Sequence, residues 1–166
     1  MIIEQSPFGE REKNSSNWAV LVLSFLISFV SILPMFFFRD KLYGDDVVFH
    51  INRLLSLDTI WKSPINFTTN GGTGQLINTF YPWLTYYPIF LVYQLTQSIF
   101  VAWMSFQFLV RFATCLLSFY GLRLLRYSDK QVLIFSTFYL FSGYFLHNSY
   151  YRAAVGETLA MIFRSE

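Results

Sequence analysis

The chain has a single cysteine, Cys115, in 166 residues, and a lone thiol excludes an intrachain disulfide and any cysteine-built metal cage. Charge is almost as scarce: Asp, Glu, Lys and Arg together make up 13% of the sequence. The net charge is only +2, and the basic residues are scattered, with no Lys/Arg stripe of the kind nucleic-acid binding needs. Nucleic acid is therefore set aside as a partner. No internal repeat and no low-complexity tract is present. The polar stretch before the first apolar run does not lead into a signal peptide either, because the run is too long and lacks a small-residue cleavage site.

What replaces charge is apolar and aromatic surface. Hydrophobic residues make up 54% of the chain, with 20 Phe and 11 Tyr, and the mean hydropathy is +0.42. A small soluble core could not bury that aromatic load, whereas lipid and membrane interfaces accept it. The composition predicts an all-α, polytopic transmembrane bundle whose immediate partner is the lipid bilayer.

Trp18 to Phe38 is apolar or small-polar throughout, about the ~20 residues needed to cross a hydrocarbon core ~30 Å thick. It is closed by Arg39 and Asp40. The expected organisation is a cytoplasmic tail 1–17, a first span 18–38, an extracytoplasmic loop 39–80, spans 81–97 and 98–122, a polar connector 123–130, a span 131–148, and the start of a further segment 149–166. Gln94 to Ser98 is the expected turn between the second and third spans. Four crossings with the N-terminus inside place Arg123, Arg126 and Lys130 outside, against the positive-inside tendency. A single crossing plus an interfacial segment in 81–122 would move that connector inside and reduce the total to three. Four is the expectation adopted, because 81–122 holds more apolar residues than one crossing uses without extreme tilt.

The loop carries the densest polar signal. Val47, Val48, Ile51, Leu54, Leu55, Ile60 and Trp61 recur at helical spacing, predicting a short amphipathic helix along the membrane surface. Within Gly44-Asp45-Asp46-Val47-Val48-Phe49-His50-Ile51-Asn52-Arg53, helical geometry puts Asp46, His50 and Arg53 at i, i+4 and i+7, on one face. A carboxylate there can act as general base or hold a divalent metal. An imidazole can shuttle protons, and a guanidinium can grip a phosphate through paired hydrogen bonds. An ordinary solvated helix face accounts for the same spacing. Asp45 is either a second carboxylate of this site or the helix N-cap.

A second signal is Tyr150-Tyr151-Arg152-Ala153-Ala154-Val155-Gly156-Glu157, where Arg152 and Glu157 flank small residues at a span mouth. A snorkelling Arg beside an interfacial Glu accounts for it as well as a site does. Arg111 is a charge within an apolar span and so a candidate by default, unless a nearby turn makes it interfacial. Asn70 to Gln75 lacks the Lys-Ser/Thr ending of a phosphate loop and reads as a lid or plain connector.

The order of these motifs, from the apolar anchor through Gly44-Asp45-Asp46, Phe49-His50, Arg53, the glycine-rich stretch and Phe80-Tyr81-Pro82 to Arg152-Ala153-Ala154 and Glu157, resembles bacterial membrane proteins labelled "6-pyruvoyl-tetrahydropterin synthase-related". It is similar to the start of GT-C-type glycosyltransferases, polytopic helical proteins with an acidic residue in the first extracytoplasmic loop. The resemblance implies sugar transfer from a polyprenyl-phosphate donor to a cell-envelope acceptor at the outer face of the bacterial cytoplasmic membrane. It places Asp46 in the acidic position, with a divalent metal as a possible cofactor there. Asp45, His50, Arg53, Arg152 and Glu157 would shape the site or bind the donor phosphate. The chain departs from that family in length and is expected to be a truncated portion of such a protein, inactive by itself. The alternative expectation is a non-enzymatic membrane protein whose loop docks another membrane subunit, with Trp61 and Phe67 as contact residues. A small transporter is the least favoured, since its spans carry only Arg111 and lack an inverted repeat.

Overall fold

A computed structural model of the chain describes residues 17–37, 42, 44–63, 65–67, 72–74, 76–80 and 83–163. The expected tail 1–16, the closing charges Arg39 and Asp40, Thr68 to Gly71, Gln75, Tyr81-Pro82 and 164–166 lie outside the described residues. Every regular element among the described residues is a helix.

Among the described residues two helices are long and apolar enough to cross a membrane. The first, α1 (Asn17–Phe36), has 20 residues, about 30 Å at 1.5 Å per residue. Its Pro34 sits in the last turn, so the one backbone bond it removes lies at the end of the helix. One face, Val20, Ser24, Ser28, Ser31 and Ile32, is buried, while Val22, Phe25, Leu26, Phe29 and Leu33 point outward. The small serines let neighbouring helices approach, and two of the hydroxyls bond within the helix: Ser28 donates to Ser24 O at 2.7 Å and Ser31 to Ser28 O at 2.8 Å.

The central helix, which follows a shorter helix α4 (Tyr87–Thr96), is α5 (Ile99–Leu124), with 26 residues. It packs against α1, α4, α6 (Asp129–Leu140) and α8 (Val155–Phe163). The α4–α5 turn falls within the expected 94–98. Gln97 is left-handed at φ 53°, and the Ser98 hydroxyl accepts from Val101 N at 3.3 Å. The α5–α6 connection is fixed by Ser128, which shares a capping box with Gln131. The Arg123–Asp129 pair, at 2.7 and 2.9 Å, braces the same corner.

The expected span 131–148 is not one continuous helix. α6 ends at Leu140, Ser142 caps the single turn α7 (Gly143–Leu146) by accepting from Phe145 N, and His147–Arg152 continues as a π-helical stretch. Residues 81–97 likewise yield only α4, 10 residues or about 15 Å, preceded by a 3₁₀ turn Leu84–Tyr86.

The loop holds α2 (Val47–Leu55), extended by a 3₁₀ turn Ser56–Thr59, and the short α3 (Ile77–Phe80). The amphipathic helix is thus present, but its faces are not those the apolar spacing predicts. Val47, His50, Arg53, Leu54 and Leu57 are buried, whereas Val48 is exposed. The helix is rotated because its inward side meets polar partners from other segments.

Candidate functional site

The two motif segments, about a hundred residues apart in sequence, meet backbone to backbone. Asp45 N donates to Tyr151 O and Asp46 N to Arg152 O, each at 3.0 Å. The approach is possible because residue 44 is glycine: a Cβ there would stand 2.5 Å from the Ala153 Cβ, and its φ of +135° suits no other residue type. Ala153 is itself left-handed, φ 55°, where the π-helical stretch ends. This reverses the chain so that Thr158 N and Oγ1 bond to Ala154 O in the first turn of α8.

Asp46, not Asp45, occupies the N-cap of α2. Its carbonyl receives His50 N at 3.0 Å, its side chain makes no capping bond, and both Asp45 and Asp46 are exposed. The carboxylate of Asp46 is therefore presented to solvent beside the segment carrying Arg152. Arg152 donates to Glu157 Oε2 at 2.9 Å and to Asn148 Oδ1 at 3.0 Å, while Tyr144 donates to the same Glu157 oxygen at 3.4 Å. Both members of the ion pair are about 40% exposed, so the guanidinium remains open to an anion from outside.

His50 and Arg53 are placed differently from Asp46. The expectation that all three share an outward face fails, because His50 and Arg53 are only 6% and 3% exposed. Asn78 Oδ1 accepts from Arg53 Nε at 3.3 Å, and Tyr86 Oη accepts from Arg53 Nη1 at 3.3 Å. The Tyr86 ring lies 4.5 Å beneath the guanidinium. His50 Nδ1 lies 3.4 Å from Arg53 Nη1 and 2.6 Å from Tyr86 Oη; a guanidinium can only donate, which makes Nδ1 the unprotonated nitrogen and Tyr86 a donor to it. Burial, and then the Arg53 charge, hold His50 down at about 4, against a hydrogen bond to the backbone of Ala153 that pulls the other way. His50 is accordingly a neutral connector between α2, Tyr86 and Ala153. Its ring stacks on Trp103 of α5 at 6.4 Å, which ties the loop to the central helix.

Asn78 closes the network, donating to Arg53 O at 3.0 Å and to Ser56 Oγ at 2.5 Å. Tyr86, Asn78, Ser56 and Trp103 thus belong to this site although nothing in their spacing marks them. Asn148, which accepts from Arg152, is fully buried and is likewise unmarked by its sequence neighbours His147 and Ser149.

Arg111 lies elsewhere, deep in the bundle. It is fully buried, donates to Gln107 O at 3.0 Å and Gln107 Oε1 at 2.6 Å, and sits 5.5 and 5.4 Å from the Phe145 and Tyr150 rings. Tyr150 reaches across to donate to the Ser31 carbonyl of α1. Among the described residues no group of three or more His, Cys, Asp or Glu side chains is placed to hold a metal ion. Trp61, Trp83 and Tyr87 form an aromatic cluster at the start of α4, with ring centroids 5.1 to 6.3 Å apart. No family model matches the sequence, and no curated protein and no solved structure matches it.

Proposed function

We propose that this chain carries the acceptor-activating part of a multi-pass membrane glycosyltransferase of GT-C type, acting on a polyprenyl-phosphate sugar at the extracytoplasmic face of a bacterial cytoplasmic membrane. The observation that supports it is the junction of the acidic loop with the Arg152 segment, at one end of a bundle containing two span-length apolar helices. Asp46 would take the proton of an acceptor hydroxyl as its oxygen attacks the anomeric carbon of the donor. Arg152 would meet the phosphate that leaves, and Glu157 would hold Arg152 in place. A divalent ion at Asp46 would serve the same phosphate charge. His50 and Arg53, enclosed by Asn78, Tyr86 and Trp103, would position the loop without touching the donor.

A second reading, an assembly partner whose loop docks another membrane subunit, is favoured by one feature. Trp61 and Phe67 are 76% and 64% exposed, more than their size warrants unless something covers them.

The test is transfer of labelled sugar from a polyprenyl-phosphate donor in membranes expressing the longer transferase of which this chain is proposed to be a part. Asp46→Asn is expected to lower the rate by about 10²-fold or more, the usual contribution of a general base. Arg152→Gln is expected to weaken donor use with the chain's abundance unchanged. Transfer that does not depend on the chain, or that survives Asp46→Asn, removes the reading. Loss of association after Trp61→Ser with transfer intact favours the partner.

A further inference from the structure

We infer that the described residues complete three crossings of the bilayer, with α8 turning back into the bundle after the third, and that α4 does not cross but lies in the lipid leaflet on the side of the Asp46 loop. The inference rests on the membrane reading above and concerns which surfaces meet lipid and which compartment each connector faces. α1 and α5 run antiparallel along their whole lengths. Val20 packs with Phe119, Phe25 meets Phe108 at 5.1 Å, and Phe36 meets Phe100 at 6.2 Å. The end of α1 and the start of α5 therefore lie at the same level, and the described elements between them, α2 to α4, leave and return on one side.

α4 is too short to evade that conclusion. Its ~15 Å are half of a ~30 Å hydrocarbon core, and it folds back along only the first part of α5, with Tyr86 stacked on Phe106 at 6.2 Å. The route after α5 agrees. Val132 packs at the level of Phe119, Leu140 at Cys115, and Phe145 and Tyr150 at Arg111, before Ala153 reaches Gly44. Residues 129–152 thus return across the membrane as a broken span, past Phe119, Cys115 and Arg111 of α5 toward the end that holds Trp103, with which Ala153 shares a buried cluster.

This arrangement removes the charge conflict of a four-span topology. The 125–128 turn falls on the side of Asn17, the side the positive-inside tendency prefers for Arg123, Arg126 and Lys130 when the N-terminal end of α1 is inside. The partner of α4 is lipid. From Trp83 to Val110 the sequence carries no charge, and α4 with its preceding turn turns outward Leu84, Leu91 and Leu95, which are 68%, 59% and 86% exposed. That face continues the outward apolar faces of α1 and α5, such as Phe36 and Val101.

The test is sidedness in sealed membrane vesicles of either orientation, made from cells producing the full chain. In a Cys115→Ala background, a membrane-impermeant maleimide is expected to label Asn17→Cys and Tyr127→Cys in the same orientation and Trp61→Cys only in the other. If the substitutions disturb folding, trypsin reads the same property in the parental chain, cutting after Arg126 and after Lys62 from opposite sides. Cutting of both from one side, or co-labelling of Trp61→Cys with Tyr127→Cys, overturns the three-crossing topology. A nitroxide on Leu95→Cys is expected to collide more with oxygen than with an aqueous nickel chelate, and the reverse order overturns the lipid contact. Release of the chain by alkaline carbonate overturns the membrane reading beneath both, which is a different failure from same-side cleavage.

Discussion

The bundle and the loop that caps it bond their buried polar groups in opposite ways, and among the described residues the bundle leaves the Ser118, Ser136 and Ser149 hydroxyls without a partner. Within the span-length helices the bonds are mostly local. Ser28 bonds to Ser24, Ser31 to Ser28, Thr114 to Val110 and Arg111 to Gln107, all within one turn of their own helix. Tyr150 to Ser31 and Tyr139 to Met161 reach across the bundle. In the cap the bonds are long-range: Arg53 to Asn78, Arg53 to Tyr86, His50 to Tyr86, and Asp45 and Asp46 to the far end of the chain. Local bonding lets a helix stand in a solvent that offers no hydrogen bonds. Long-range bonding makes the cap depend on the whole fold, and so fixes one geometry for Asp46 relative to Arg152.

That contrast can be tested in unfolding experiments in mixed detergent. The largest effect is expected from Gly44→Ala, which sets a Cβ 2.5 Å from that of Ala153 at a φ of +135°. A loss of about 4 kcal/mol is expected, combining overpacking and backbone strain. Adding Ala153→Gly is expected to return roughly half of it, since it removes the opposing methyl but not the strain at residue 44. Simple additivity of the two changes would mean that the junction is not where the stability resides.

Arg53→Met is expected to cost about 3 kcal/mol, because Asn78 and Tyr86 each lose a buried charged donor. Arg111→Met gives the comparison its sharpest control. Its main acceptor is on its own helix, and a methionine fills similar space, so a change within about 1 kcal/mol is expected. Equal losses at the two arginines would erase the distinction between cap and bundle.

Acid should act on the cap first. His50 is held at about 4 against an ordinary value of 6.5, so the folded state binds its proton less readily than the unfolded chain. Its contribution is complete above about pH 6.5 and is lost as pH falls from there to about 4, a decrease on the order of 3 kcal/mol. His50→Gln is expected to flatten the stability profile across that window. A slope unchanged by the substitution would assign the acid sensitivity to another group.

How much could be read in advance divides along the same line. α1 and α5 fall within two residues of the spans expected at 18–38 and 98–122, and the turn at Gln97-Ser98 lies inside the expected 94–98. A helix starting near Asp46 was also legible, as were the identities of Asp45, Asp46, His50, Arg53, Arg152 and Glu157 as residues worth placing. Which way α2 faces was not legible. Polarity alone puts His50 and Arg53 outside, and only the presence of Tyr86, Asn78 and Trp103 makes their burial affordable. The break at Phe141-Ser142 escaped notice because a serine in an apolar run is as compatible with a helix interior as with the cap it forms.

By itself the sequence determined the apolar helices, since length, hydropathy and local caps are properties of contiguous residues and need no partner to act. The meeting of Gly44 with Ala153, the enclosure of His50 and Arg53, and the exposure of Asp46 beside Arg152 were decided by tertiary structure. Each depends on a hydrogen bond or a close approach between residues that chain order separates and only packing brings together.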